Sequence, residues 1–139
     1  YTWKSWAFSP YLTSQPCKYV ELAYNGMFAK TYLSTEYQNN SYLSQQHKVS
    51  LKLMPFDGFT FDTSADIVKS ELTKDVSKTM SLLDMGLSYR KKAMKISFDI
   101  RNILNQRQYA YTIYNSVNTF TYNYLLRGRE CVCTVKLTM

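Results

Sequence analysis

Hydrophobic and polar residues alternate along most of this chain, and a period of two predicts β-strands. The clearest run is Met-Lys-Ile-Ser-Phe-Asp-Ile-Arg, Met94–Arg101, where every second side chain is apolar. Similar runs predict strands at residues 18–28, 48–53, 59–66 and 131–139, with shorter ones near Trp6 and Phe8 and at residues 83–89. The pattern therefore indicates about seven strands, although Met80, Leu83 and Leu87 would also fit a helix.

The segments between these strands are of two kinds that alternate along the chain. Residues 10–16, 55–58 and 90–93 are compact turn sequences, whereas residues 36–46 and 72–78 are longer and polar. Such an alternation predicts an all-β, antiparallel up-and-down meander with short turns at one end and longer loops at the other.

The last two strands can be placed in register by requiring apolar residues to face each other. A reversal near Asn115 and Ser116 pairs Ile96 with Val135 and Phe98 with Cys133. The same register pairs Met94 with Leu137, Ile100 with Cys131, Arg101 with Glu130, Ser97 with Thr134, Lys95 with Lys136, Tyr109 with Tyr122 and Tyr111 with Phe120.

Composition excludes several classes of protein and function. A chain of 139 residues with 45% hydrophobic and 19% charged residues is not disordered. Its net charge of +7 is dispersed, which disfavours a nucleic-acid partner. Cys17, Cys131 and Cys133 are too few for a disulfide framework, His47 has no neighbouring metal ligand, and no catalytic or cofactor motif is present. The first residue, Tyr1, suggests a fragment or a processed chain.

Periodicity alone leaves two interpretations of the apolar faces open. In a soluble meander or small barrel that binds a ligand or partner, these faces form the core. In an outer-membrane barrel they contact lipid, and the polar faces line a wet lumen. The length of the strands, the mixed polar stripe and the Tyr and Trp residues near strand ends favour the membrane.

A short element after the strand at residues 94–101 carries a family resemblance. Asn102-Ile103-Leu104-Asn105 is followed by a Tyr-rich hairpin, then by Leu126-Arg127-Gly128-Arg129-Glu130 and a final alternating strand. From about residue 85 onward, this order resembles the closing segment of TonB-dependent outer-membrane receptors, in particular their Bacteroidota branch. Upstream of residue 85 the resemblance consists of strand rhythm alone.

The resemblance implies a nutrient receptor of a Gram-negative outer membrane, with a barrel of about 22 strands closed around a plug domain. Residues 1–139 would be a single barrel segment, the C-terminal part of the receptor, without the plug. The implied partners are outer-membrane lipid, the rest of the barrel and its plug, the TonB protein through a region upstream of this sequence, and a surface lipoprotein.

Two sets of residues are candidates for function. The first set would line the lumen: Lys48, Lys52, Asp62, Asp66, Asp84, Asp99 and Arg101. The second set belongs to the hairpin, which is expected to extend the last two strands beyond the lipid into the extracellular space: Tyr109, Tyr111, Phe120, Tyr122 and Tyr124. These aromatic rings either contact a ligand such as a sugar, or a partner, or pack against a neighbouring loop.

Overall fold

The computed structural model describes residues 2–34, 39–73, 76–114 and 119–138, with backbone alone for residues 72–73, 76, 111–114 and 119. These ranges contain ten strands: β1 (Thr2–Phe8), β2 (Tyr11–Cys17), β3 (Val20–Ser34), β4 (Asn39–Leu53), β5 (Phe59–Thr73), β6 (Val76–Lys91), β7 (Met94–Arg101), β8 (Gln108–Tyr114), β9 (Thr119–Leu125) and β10 (Glu130–Leu137). No helix in the described ranges is long and apolar enough to cross a membrane.

Eight of the strands form one antiparallel sheet in the order β1-β3-β4-β5-β6-β7-β10. β2 also pairs with β3, so β1 and β2 act as one long edge strand that is interrupted at Ser9 and Pro10. β8 and β9 form a separate two-stranded ribbon. The predicted all-β, antiparallel up-and-down architecture is confirmed.

The turns lie at the predicted end of the sheet, but one predicted turn is wrong. Residues 10–16 are mostly strand β2, and the reversal is confined to Lys18 and Tyr19. A shift in register between Ser14 and Cys17 accommodates Pro16, which has no N–H to donate to the ladder. The predicted turns at residues 55–58 and 90–93 are present, the second reduced to Lys92 and Ala93.

The predicted polar loops at the other end are also largely wrong. β4 begins at Asn39, so most of residues 36–46 is strand, and β5 and β6 extend through most of residues 72–78. These segments contain no Gly or Pro, and their Ser, Thr, Tyr and Gln side chains are compatible with a paired strand that has polar surroundings. Strands β3 to β6 are therefore 15 or 16 residues long.

The register between β7 and β10 is confirmed over its whole length, from Met94 opposite Leu137 to Arg101 opposite Glu130. The hairpin register is wrong by two residues, because Tyr109 faces Tyr124 and Tyr111 faces Tyr122. The segment between β7 and β8, residues 102–107, is two residues longer than the segment between β9 and β10, residues 126–129, which accounts for the offset. The predicted reversal at Asn115 and Ser116 lies outside the described residues.

The sheet has two chemically distinct faces. The apolar face, defined by the register of paired strands, carries Val20, Leu22, Val49, Leu51, Phe61, Ile67, Met85, Leu87, Ile96, Phe98, Cys133 and Val135. The charged face carries the alternate residues, among them Glu21, Lys48, Lys52, Asp62, Asp66, Asp84, Asp99 and Arg101.

Burial is concentrated away from the apolar face. Among the described residues the buried hydrophobic ones are Val68, Met80 and Ala110. Val68 and Met80 are paired on the charged face, toward the end opposite the short turns, and β8 contacts β5 there. The ribbon of β8 and β9 thus covers part of the charged face, while the apolar face has no covering layer in the described structure.

Candidate functional site

The seven residues predicted to line a lumen share the charged face, as their register requires. Lys52 is directly opposite Asp62, and Lys48 is directly opposite Asp66. Alternation along β6 and β7 adds Asp84, Asp99 and Arg101 to the same face. Opposite charges that face each other on neighbouring strands favour this register. On β4 and β5, the positive and negative side chains of the charged face therefore lie opposite each other.

A cavity of about 570 Å³ opens on this face near the short turns. Glu21, Lys52 and Asp62 contribute its charges, and the rest of the lining combines hydroxyl-bearing residues such as Ser50 and Ser64 with apolar ones such as Leu22 and Leu51. The Lys52 ammonium lies 3.6 Å from the Glu21 carboxylate, with both side chains almost half exposed. Solvent screening leaves such a pair worth at most about 1 kcal/mol.

Gly86 makes room for two carboxylates that meet on the charged face. Its neighbours in register are Asp62 on β5 and Asp99 on β7. A Cβ atom at Gly86 would lie 2.6 Å from an Asp62 carboxylate oxygen and 2.9 Å from an Asp99 carboxylate oxygen. Within the described residues no group of three or more His, Cys, Asp or Glu residues is arranged to hold a metal ion.

Asp66 connects the sheet with the hairpin. The Gln46 side-chain amide donates to both Asp66 carboxylate oxygens at 3.2 Å. The pKa of Tyr109, on β8, is raised above its usual value, first by burial and then by the negative charge of Asp66, with Tyr124 as a further cause. β8 contacts β5, the strand that carries Asp66, so the hairpin folds back toward the sheet.

This fold-back corrects the predicted geometry of the hairpin. A continuous ribbon from β7 through residue 114 was expected to extend straight beyond the sheet, but β7 ends at Arg101 and β8 contacts β5. The reason lies in the residues that follow Arg101. Asn102 and Asn105 both adopt positive φ, 51° and 54°, a conformation that breaks a strand and that Asn tolerates better than most residues.

Asn102 is the centre of the junction between sheet and hairpin. Its side-chain amide donates to the carbonyl oxygens of Gln106 at 2.7 Å and Arg127 at 2.8 Å, and its amide oxygen accepts from the Gln106 N–H at 2.8 Å. Its own backbone N–H donates to the Asp84 carboxylate at 2.7 Å. Because Asn102 is only 8% exposed, these bonds are shielded from water and fix both ends of the hairpin to β6.

Arg129 closes the junction from the other side. Its guanidinium donates through Nε and Nη2 to the Ile103 carbonyl, at 2.9 and 2.5 Å, and its backbone N–H donates to the Asn105 side chain at 3.1 Å. The Ile103 N–H in turn donates to the Leu83 carbonyl of β6 at 2.8 Å. The segments before β8 and after β9 are therefore held together by this set of contacts.

Glu130 and Asp84 have partners that the sequence alone did not identify. Glu130 is opposite Arg101 as predicted, but its ion pair is with Arg127, at 3.5 Å. Asp84 shares the charged face and also accepts the Asn102 N–H. The hydrogen bond between Asp84 and Asn102 cannot be predicted from the spacing of residues. The left-handed backbone could have been, because two Asn residues shortly after a strand, with no Gly between them, favour positive φ.

The aromatic residues predicted to contact a ligand or partner share one face of the β8–β9 ribbon. Phe120, Tyr122 and Tyr124 are 45%, 39% and 50% exposed, and the rings of Tyr122 and Tyr124 are stacked with centroids 6.5 Å apart. Tyr109 packs against Tyr124 with centroids 6.3 Å apart. The side chain of Tyr111 lies outside the described part of the structure. An exposed aromatic surface remains on β9, whereas Tyr109 is partly covered.

His47 and the cysteines fit structural roles. His47 is half-buried, its Nδ1 lies 2.8 Å from the Tyr24 hydroxyl, and its ring packs edge-on against Phe28 at 5.1 Å. Cys17, Cys131 and Cys133 are free and exposed.

Comparisons of this chain with protein-family models, with curated proteins and with solved structures find no match.

Proposed function

We propose that this chain is the C-terminal barrel portion of a TonB-dependent outer-membrane receptor that takes up a nutrient, in a Gram-negative membrane of the Bacteroidota type. The observation that carries the proposal is the continuous exposed apolar face of an antiparallel sheet whose opposite face is charged. Leu22, Val49, Ile67, Leu87 and Phe98, on five different strands, are 38% to 42% exposed.

The length of the apolar stretches is close to that of transmembrane strands. On β3 and β5 the apolar residues extend from Val20 to Phe28 and from Phe59 to Ile67, and on β7 from Met94 to Ile100. At about 3.3 Å per residue these stretches are roughly 20 to 27 Å long. A transmembrane β-strand, which is tilted by about 45°, needs about 9–11 residues to cross the lipid, so the stretches on β3 and β5 reach the lower end of this range.

Beyond these apolar stretches the same face becomes polar. Lys30, Tyr32 and Ser34 continue β3, and Lys69 and Glu71 continue β5. Long strands whose outer parts carry polar residues are expected where a barrel wall rises out of the lipid. The short turns would then lie on the periplasmic side and the hairpin on the extracellular side.

The open edges and the charged face support the same proposal. β1 with β2 forms one edge of the described sheet and β10 the other, and further strands of a barrel would satisfy their outward N–H and C=O groups. The charged face would then line a hydrated lumen. The soluble meander is less well supported, because the apolar side chains do not converge on an interior in the described structure.

The orientation is tested by two neighbouring substitutions on β4. Val49→Lys places a charge on the apolar face, whereas Ser50→Lys places the same charge on the charged face. In lipid vesicles, Val49→Lys should destabilise the folded, inserted protein by about 2–4 kcal/mol and Ser50→Lys by much less. Equal effects of the two variants, or recovery of the wild-type chain as a monomer without detergent or lipid, would contradict the proposal.

The transport assignment needs a separate test in cells. When the receptor containing this chain is expressed in a Gram-negative host, fractionation should recover it in the outer membrane, and growth on its nutrient should require TonB. Growth that is independent of TonB, with the protein correctly inserted, would retain the membrane location and reject the energy coupling.

A further inference from the structure

Three cations lie side by side at the short-turn end of the charged face. Arg90 is directly opposite Lys95, and Lys95 is directly opposite Lys136, so the row crosses β6, β7 and β10. Lys92, in the turn between β6 and β7, lies beside them. Like charges directly opposite each other destabilise a sheet, so this row weakens the pairing of β6, β7 and β10.

Among the described residues, no acidic side chain forms an ion pair with this row. The ion pairs found in the described ranges involve Lys52 and Arg127, and none involves the four cations. All four are exposed. Their positive charges are therefore available to an anion from solution or from a membrane surface.

A groove of about 300 Å³ lies between these residues. Arg90, Lys92, Lys95 and Lys136 line it together with Ala93, Met94 and Thr138, and no carboxylate is among the lining residues. Since one water molecule occupies about 30 Å³ in the liquid, the groove has room for a phosphate group and several waters.

A row of hydroxyl groups lies next to the cations. The row consists of paired residues on four adjacent strands: Thr60, Ser88, Ser97 and Thr134. The last three each lie two residues along their strand from a residue of the cationic row. That separation is about 7 Å along the strand. This row borders the groove without lining it, and Thr138 is the hydroxyl-bearing residue among those that line it.

We propose that this groove binds a phosphate group. Several converging cations favour a multiply charged anion, and the planar guanidinium of Arg90 together with the ammonium groups suits phosphate oxygens better than a single carboxylate. The phosphate belongs either to a free phosphate or to a lipid headgroup, because Lys91 and Met94 place the apolar face directly beside the groove. The proposal does not depend on the transport function.

Binding is tested with the full chain in a non-ionic detergent. Inorganic phosphate is titrated at constant ionic strength maintained with sodium chloride, and binding is followed by calorimetry. The double variant Lys95→Gln/Lys136→Gln should weaken binding by about tenfold or more, which corresponds to about 1.4 kcal/mol. The matched control Lys4→Gln/Lys69→Gln removes two exposed charges outside the groove and should bind as the wild type does.

A second variant separates loss of binding from loss of folding. Lys136→Glu places a carboxylate opposite Lys95, so it should raise the melting temperature without phosphate and abolish the rise that phosphate causes in the wild type. A variant that is more stable and yet does not bind cannot have failed to fold.

Vesicles distinguish the two sources of phosphate. If the source is a lipid, phosphatidylglycerol in phosphatidylcholine vesicles should strengthen binding of the wild type but not of Lys95→Gln/Lys136→Gln. If the source is free phosphate, the calorimetric difference between these proteins should appear without any dependence on phosphatidylglycerol. The proposal is overturned if neither probe distinguishes this double variant from the wild type, or if the control variant loses as much.

Discussion

Asn102 meets three requirements that few other residues combine. It adopts a φ of 51°, it is buried, and its amide group donates two hydrogen bonds and accepts one. Alanine satisfies none of the hydrogen bonds and is strained at positive φ, whereas glycine tolerates the φ but also lacks the amide. The two substitutions therefore separate backbone strain from hydrogen bonding.

Replacing Asn102 should lower the free energy of unfolding for two separable reasons, the loss of hydrogen bonds and backbone strain. Lost hydrogen bonds of about 1 kcal/mol each, with about 1 kcal/mol of backbone strain, give a decrease in unfolding free energy of about 3–4 kcal/mol for Asn102→Ala. Asn102→Gly should recover about 1 kcal/mol of this. Denaturant unfolding in detergent measures both, and losses below about 1 kcal/mol in both variants would show that the junction is not held by this side chain.

Tyr109 makes docking of the hairpin sensitive to high pH. Because its pKa is raised in the folded state, Tyr109 keeps its proton more tightly there than in the unfolded chain. Its contribution to stability is fully present below the usual tyrosine pKa of about 10 and is lost as pH rises through the folded value. Stability should fall in this alkaline window.

Tyr109→Phe should remove that part of the alkaline loss, with Tyr124→Phe as a comparison on the facing strand. Thermal unfolding measured from neutral pH to above pH 10 in each variant provides the test. If Tyr109→Phe retained the full alkaline loss, other tyrosines would be responsible, and burial of Tyr109 near Asp66 would not be what makes the folded state sensitive to high pH.

At the scale of the elements, the turn between β4 and β5 depends on Gly58. Its φ is 81°, and a Cβ at this position would lie 2.1 Å from the Arg90 carbonyl oxygen. The clash is with backbone, so a side-chain rotation cannot relieve it. The Arg90 N–H also donates to the Gly58 carbonyl at 2.7 Å, which fixes the turn against the end of β6.

Gly58→Ala should therefore destabilise the sheet by about 3 kcal/mol, from backbone strain and displacement of β6. Asp57→Ala, one residue earlier and exposed, should cost much less. Urea unfolding of the two variants measures the difference. Equal stability of Gly58→Ala and wild type would mean that the turn adopts another conformation.

The elements also show what sequence patterns can and cannot predict here. The register of β7 and β10 follows from apolar pairing, since a shift by one residue would exchange the two faces. The register of the hairpin does not follow from apolar pairing, because the segment between β7 and β8 is two residues longer than the segment between β9 and β10. The long polar ends of β4 to β6 resemble loops in composition, and only their pairing with neighbours makes them strands.

For the whole molecule, the sequence predicted which residues share a face but not where the hairpin lies. Alternation assigned Asp62, Asp66 and Asp99 to one side of the sheet correctly. The contact of β8 with β5 links residues more than 30 positions apart and depends on the direction in which Asn102 turns the chain. Local periodicity contains no information about that direction.

The measurement that tests the central claim most directly is an accessibility scan of β7 in a lipid bilayer. With Cys17, Cys131 and Cys133 replaced by Ala, single spin labels are placed at successive positions of Met94–Arg101. Labels at Ile96, Phe98 and Ile100 should collide with a lipid-soluble quencher, and labels at Lys95, Ser97 and Asp99 with a water-soluble one. The reverse pattern, or protection of the apolar positions from both quenchers, would contradict a lipid-facing apolar face.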